Sequence, residues 1–275
     1  MLKRFSAAPY LLWSTIFVVV PLLLVFVYSL FIFDANGMSF SIESYLKFLD
    51  PLYLEVLWRS ILLAFEATLI CILLGFPMAL ILSKMKPSLQ KIAVTLFILP
   101  MWMNFLLRTY AWMAILGKNG IINNLLEFFH IQGVSLLYNE GAILLGMVYN
   151  FLPFMVLPIY TVLTKIDYQL VEAAEDLGAN KKTVFQKIIL PLSIPGVISG
   201  ILMVFMPAVS TFVISNLLGG GQFNLIGNLI EQQFLLVGNW NFGSAISMIL
   251  MVVILISVAA LNRMDRSGGG ETRVW

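Results

Sequence analysis

Residues 167–196 read DYQLVEAAEDLGANKKTVFQKIILPLSIPG. Leu170, Ala173, Ala174 and Leu177 recur at helical spacing and predict one apolar face, while Glu172, Glu175 and Asp176 form an adjacent acidic face. Gly178 supplies the left-handed residue that ends a helix, and Asn180 is placed to cap the next. A second short helix is expected from about Lys181 to Ile189, with Pro191 behind it as a stop. Two short amphipathic helices meeting at a tight turn have the shape of a docking element. An interfacial helix lying in lipid headgroups is the alternative, but such helices carry Lys and Arg on their polar face, and the first helix here carries acids.

The sequence on either side of this element is apolar. Of 275 residues, 60% are hydrophobic and 11% charged, and the mean hydropathy is +0.96. Soluble domains carry about 25% charged residues, so lipid is the natural solvent for most of this chain. Lys3 and Arg4 precede an uncharged run from Phe5 to Phe33, too long for the core of a signal peptide and long enough to cross a bilayer. It is expected to be an uncleaved first span.

Six segments have the length and apolarity of a span: about 10–33, 60–83, 92–116, 142–163, 195–218 and 242–261. None shows the strict alternation of a membrane barrel. The fold class expected is an all-α integral membrane protein of six helices. Of the 16 Lys and Arg, 12 fall on one side: Lys3, Arg4, Lys84, Lys86, Lys91, Lys165, Lys181, Lys182, Lys187, Arg263, Arg266 and Arg273. Lys47, Arg59 and Lys118 fall on the other, and Arg108 lies in a span. The positive-inside rule then places both termini and the 165–194 loop in the cytoplasm. The outer loops hold an excess of acids, among them Glu127, Glu140 and Glu231. That excess suits a cationic cargo or a basic partner, and it also follows from topology alone. Pro21, Pro77, Pro100, Pro153, Pro158 and Pro207 fall inside predicted helices, where neighbours or cavity water must satisfy the freed carbonyls.

Several functions are disfavoured by the residues present. One cysteine (Cys71) and one histidine (His130) give neither a disulfide framework nor an ordinary zinc site. No metal site and no catalytic residue is expected, and nothing points to nucleic acid. A membrane protease or hydrolase needs a histidine at membrane depth. An ion-driven secondary transporter, which stays open as the weaker alternative, needs a membrane acid relay or an internal repeat, whereas Glu66 is the one acid within the spans and no clear repeat is present. No Gly-rich phosphate loop followed by Lys and Ser/Thr occurs, so the chain is not itself an ATPase, and Gly219, Gly220 and Gly221 are expected to form an external turn.

The spacing Glu172-Ala173-Ala174, three residues, Gly178, nine residues, Ile188, one residue, Leu190-Pro191 resembles the EAA loop of ABC importer permeases at every specified position. The strings LDPLYLEVLWRS (49–60), LPMWMNFLLRTYAW (99–112), LPFMVLPIY (152–160), LLGGGQFNLIGNLIEQQFL (217–235) and NWNFG (239–243) extend the likeness over nearly the whole chain to the PotB-type permeases of spermidine/putrescine importers. Permeases for iron(III), sulfate, thiamine and other small solutes share that scaffold.

The resemblance implies a type I (MetI-like) bundle: an N-terminal helix and outer loop in 1–57, a five-helix core in 58–263 with the coupling loop at 165–194, and a cytoplasmic tail in 264–275. It implies a multi-pass protein of the bacterial inner membrane that works with a second, homologous permease, a homodimeric ATP-binding subunit and an extracytoplasmic polyamine-binding protein. The partner ATPase uses ATP and Mg, and the chain itself binds no cofactor. Glu172, Ala173, Ala174, Asp176, Gly178, Ala179, Leu190 and Pro191 would form the ATPase-coupling surface.

Polar residues within spans mark candidate pathway positions, because they are costly there unless paired or facing water. Glu66 and Arg108 stand at similar depth and are expected to pair, either as a structural ion pair or as a gate. Trp102, Asn104, Tyr110, Tyr149, Asn150, Tyr160 and Asn216 offer the rings and acceptors that ammonium groups bind. For each of them, packing or interhelical hydrogen bonding is an equal reading.

Overall fold

The computed structural model of the chain describes residues 8–34 and 37–268. Lys3, Arg4 and Arg273, counted above toward orientation, lie outside the described residues, as does the end of the 264–275 tail.

Helix α1 (Pro9–Leu30) stops three residues before the expected end. Phe31 turns extended there (φ −125°, ψ 130°) and opens a hairpin of β1 (Phe31–Asp34) and β2 (Gly37–Phe40), with Phe31 opposite Phe40. The short α2 (Glu43–Phe48) leads into α3 (Pro51–Ser83). This second span begins nine residues earlier than expected, so the expected boundary at 57/58 falls inside it. Asp50 caps it by accepting from the Leu52 N–H at 3.0 Å, and Pro51 takes a position that needs no N–H. At 1.5 Å per residue α3 is about 50 Å long, more than a bilayer's hydrocarbon core.

The third span is broken. Helix α4 (Pro87–Trp102) and the run Phe105–Phe128, made of α5 (Phe105–Leu116) and α6 (Ile121–Phe128), are bent by 92° at Met103 and Asn104. Pro100 weakens the last turn of α4, and the Asn104 side chain starts α5 by accepting from the Leu106 and Leu107 N–H groups at 2.8 and 3.4 Å. The fourth span, α7 (Glu140–Leu163), matches the sequence expectation within two residues.

Beyond α8 (Tyr168–Asp176), the fifth span is displaced toward the N-terminus. Helix α9 runs from Lys181 to Ser210 as one rod of 30 residues, so the expected separate helix over 181–189 and the expected span over 195–218 are both corrected. Pro191 does not stop the helix because the turn before it is widened. Phe185–Ile189 form a π-turn in which the Leu190 N–H reaches the Phe185 carbonyl, and the strain of a mid-helix proline is absorbed there. The same device precedes Pro21, where the Val20 N–H reaches the Thr15 carbonyl. After Ser210 the chain folds into α10 (Val213–Leu218), a turn at Gly219–Gly221, α11 (Ile226–Glu231) and a π-turn, Gln232–Val237, before α12 (Trp240–Gly268).

Helix directions establish the number of crossings. Arg59 meets Glu140 and Cys71 faces the Val148 carbonyl, so α3 and α7 run parallel. The chain between Ser83 and Glu140 must therefore return through the membrane, which makes α4 and α5 a broken span and not a re-entrant loop. Helix α9 opposes α7, with Gly196 against Ile159 and Gly200 against Met155. Helix α1 ends where α12 begins, since the Asn241 amide donates to the Tyr28 and Phe31 carbonyls. Six crossings put the start of α1 and the end of α12 on one face, the face of Ser83.

The core lies among α3, α7 and α9, where Ala64, Ala67, Cys71, Met147, Met155, Ile159 and Val204 are fully buried. Small residues on α3 let the helices approach closely, as membrane packing requires. The most apolar stretch of α1 has no buried residue; this helix lies at the periphery beside α12.

Candidate functional site

The lever-shaped element stands on the Ser83 face. Asp167 caps α8 by accepting from the Gln169 N–H at 3.0 Å. Gly178 adopts φ +83°, and two bonds close the helix around it: the Ala179 N–H donates to Ala174 O and the Gly178 N–H to Glu175 O, both at 2.9 Å. The next residue but one, Asn180, accepts from the Thr183 N–H at 2.9 Å and starts α9. One left-handed residue thus joins the short α8 to a 30-residue membrane rod, and displacement of α8 bears directly on α9. Phe185 meets Phe76 edge-on at 5.8 Å, tying the base of that rod to α3.

The apolar face of α8 is divided. Val171 is buried and holds the helix to the bundle, whereas Leu177 is 90% exposed. Leu170, Glu172, Ala173, Glu175 and Asp176 are exposed with it, Ala174 and Ala179 are half-buried, and Leu190 and Pro191 are exposed on the first turns beyond the π-turn. The exposed surface of α8 thus combines Leu170, Ala173 and Leu177 with the carboxylates of Glu172, Glu175 and Asp176, none of them in an ion pair with a described residue.

The residues expected to line a pathway stand on α3, α4, α5, α7 and α10 and at the bend between α4 and α5. Arg108 is buried at 8% exposure on α5, and its Nε has no hydrogen-bond partner among the described residues. Glu66 is exposed on α3, and the ion pair found among the described residues is Arg59–Glu140 at 3.0 Å. The expected Glu66–Arg108 pair is corrected: the bend at Asn104 carries Arg108 onto a separately directed helix. Asn104 is a helix cap, Trp102 stands 80% exposed at the bend, and Tyr110 is about half exposed. Tyr149 packs edge-on against Trp112 at 5.2 Å. Asn150 is fully buried and donates to the Gly146 carbonyl at 2.8 Å, and Tyr160 packs partly buried against the core.

Asn216 belongs to a network that the sequence did not reveal. Its amide donates to Glu231 Oε2 at 2.9 Å, and its carbonyl accepts from Asn228 Nδ2 at 2.6 Å. The same Asn228 amide donates to the Phe212 carbonyl at 3.1 Å, and its Oδ1 accepts from the Leu225 N–H and the Ser215 hydroxyl. The Ile226 N–H donates to Ser60 Oγ at 2.7 Å. These bonds fold 211–231 inward against the break after Ser210 and satisfy the polar groups that the break exposes. Ser60, Ser215, Asn228 and Glu231 are absent from the expected set; an asparagine inside the apolar run LIGNLI was the available signal. The glycine turn is as expected: Gly220 and Gly221 have φ +62° and +72°, and Gly220 lies against the Tyr138 ring at the head of α7.

Residues 71–266 match the family described as binding-protein-dependent transport system inner membrane component. The chain is 38% identical over 269 residues to the spermidine/putrescine transport system permease protein PotB of Haemophilus influenzae, covering 96% of this chain and 94% of that protein. It is 38% identical over 259 residues to the PotB of Escherichia coli, covering 92% and 94%. Its fold superposes with a TM-score of 0.83 on a chain of a bacterial ABC transporter that imports the acidic polysaccharide alginate, at 17% identity, covering 97% of this chain and 95% of that one.

Proposed function

The chain belongs to the family of inner-membrane components of binding-protein-dependent transport systems, and from that premise we propose that it is the permease subunit of an ATP-driven importer of spermidine and putrescine. The observation that carries the cargo is 38% identity over nearly the full length of both chains to permeases of spermidine/putrescine transport.

The physical reading supports the same role. The Ser83 face bears Lys84, Lys86, Lys91, Lys165, Lys181, Lys182 and Lys187, and the opposite face bears Lys47, Arg59 and Lys118, so the Ser83 face and both termini are cytoplasmic. The exposed surface of α8 then points at a cytoplasmic ATP-binding dimer, whose ATP and Mg supply the driving force. Closure of that dimer moves α8, and through Gly178 it moves α9, whose outer end carries the folded segment 211–231. A second permease completes the bundle and covers exposed polar positions such as Glu66, and an outer binding protein delivers the cargo. The Lys-poor outer face suits a polycation.

The test is ATP hydrolysis by the chain reconstituted with its neighbouring permease, ATPase and binding protein. Stimulation by spermidine or putrescine, and not by iron(III) or sulfate, is the expected result. A stable complex indifferent to polyamines removes the cargo assignment, and a chain that binds no ATPase removes the coupling role.

A further inference from the structure

A cavity of about 590 Å³ opens on the Ser83 face between α8, the base of α9, and the turn joining α3 to α4. Its walls are of two kinds. Leu80, Leu163 and Phe185, from near the ends of three spans, supply apolar lining, while Lys84, Lys181 and Thr164 supply cationic and polar groups. Glu175 is the one acid on the wall. Among the described residues the ion pair is Arg59–Glu140, so neither lysine is in a direct ion pair with a described residue, and two lysines against one carboxylate leave the wall net positive. Lys181 also begins a rod of 30 residues with Lys182 beside it, where two cations oppose the helix dipole and raise the local positive potential. The α3–α4 turn is held in place from within, because the Gln90 amide donates to the Leu82 carbonyl at 3.1 Å.

We propose that this cavity binds an anionic phospholipid of the cytoplasmic leaflet, with its phosphate between Lys84 and Lys181 and its chains against the apolar wall. The place in the fold supports this occupant: the lining comes from the Ser83 end of α3, the Leu163 end of α7 and the Lys181 end of α9, the ends of three span-length apolar helices. The amphipathic lining and its net positive charge match an anionic phospholipid better than a soluble anion, which has no use for the apolar half. A seated lipid bridges α8 to the end of α3 and so bears on the lever. The proposal rests on the orientation given above, and not on the cargo.

The test is native mass spectrometry of the intact complex, purified without cargo or ATP, after exchange into nanodiscs of phosphatidylcholine with and without phosphatidylglycerol. The complex is expected to retain phosphatidylglycerol. Lys84→Glu with Lys181→Glu is expected to weaken retention about thirtyfold or more, as loss of two lysines near an anionic surface implies, and Lys84→Arg with Lys181→Arg to preserve it. Should the double Glu variant not assemble, Lys84→Gln with Lys181→Gln is read in its place. Equal retention by the charge-removed and wild-type complexes overturns the proposal. Displacement of the lipid by inorganic phosphate also overturns it, because the ligand is then the free anion.

Discussion

The hydroxyl of Ser60 on α3 accepts a hydrogen bond from the main-chain N–H of Ile226 at 2.7 Å while donating to the Val56 carbonyl at 2.7 Å. Residues 166 positions apart are joined, and the inward fold of 211–231 is locked to the second span. Ser60→Ala leaves a fully buried N–H unsatisfied, which costs about 1–3 kcal/mol. The thermal midpoint of the purified permease pair is expected to fall, with unchanged insertion, and a midpoint equal to wild type contradicts the lock.

Leu177 contributes little to the bundle, being 90% exposed. Leu177→Asp is expected to leave the permease folded and inserted while reducing co-purification of the ATP-binding subunit at least about tenfold, the scale of one lost anchor in an interface. Undiminished co-purification places the docking surface elsewhere.

Gly178 separates conformational from steric cost. A Cβ built there meets nothing within 4 Å, yet φ is +83°. Substitution therefore acts through backbone strain alone, about 1–2 kcal/mol for ordinary residues and less for asparagine. Transport is expected to rank wild type, Gly178→Asn, Gly178→Ala, Gly178→Val. A scale that follows side-chain volume without the asparagine advantage counts against the left-handed hinge.

Gly200 presents the opposite case. A Cβ there comes within 2.6 Å of Met155 Sδ, at the crossing of α7 and α9. Gly200→Leu is expected to destabilise the bundle by about 1–3 kcal/mol, seen as reduced yield of folded protein in the membrane. Partial rescue by Met155→Ala identifies the contact.

Charge exchange distinguishes the two candidate ion pairs. Arg59 and Glu140 are both substantially exposed, so each single substitution costs no more than about 1 kcal/mol. The exchange Arg59→Glu with Glu140→Arg is expected to restore wild-type stability. Glu66→Arg with Arg108→Glu is expected to give no rescue of transport, because the two side chains do not meet.

Local chemistry accounts for what was legible in advance. Spans one, four and six were readable from apolar length, and the turn between α8 and α9 from Gly178 and Asn180, because backbone conformation there depends on residues close in sequence. Pro191 misled because its effect depends on the turn before it: a π-turn at Phe185–Ile189 lets the helix continue. Asn104 was visible as a polar residue, but its role as the cap of a bent span depends on where α4 stops.

By itself, then, the sequence determined a six-span helical membrane protein with a lever-shaped loop on the lysine-rich face. Composition, span length and turn chemistry act over a few residues or along one helix. Only the tertiary structure decided which polar groups meet. It separated Glu66 from Arg108, joined Ser60 to Ile226, gathered Asn216, Asn228 and Glu231, and left Lys84 and Lys181 facing one cavity. Those pairings depend on helix direction, bend angle and depth, which arise when whole helices pack and which no local window of the chain contains.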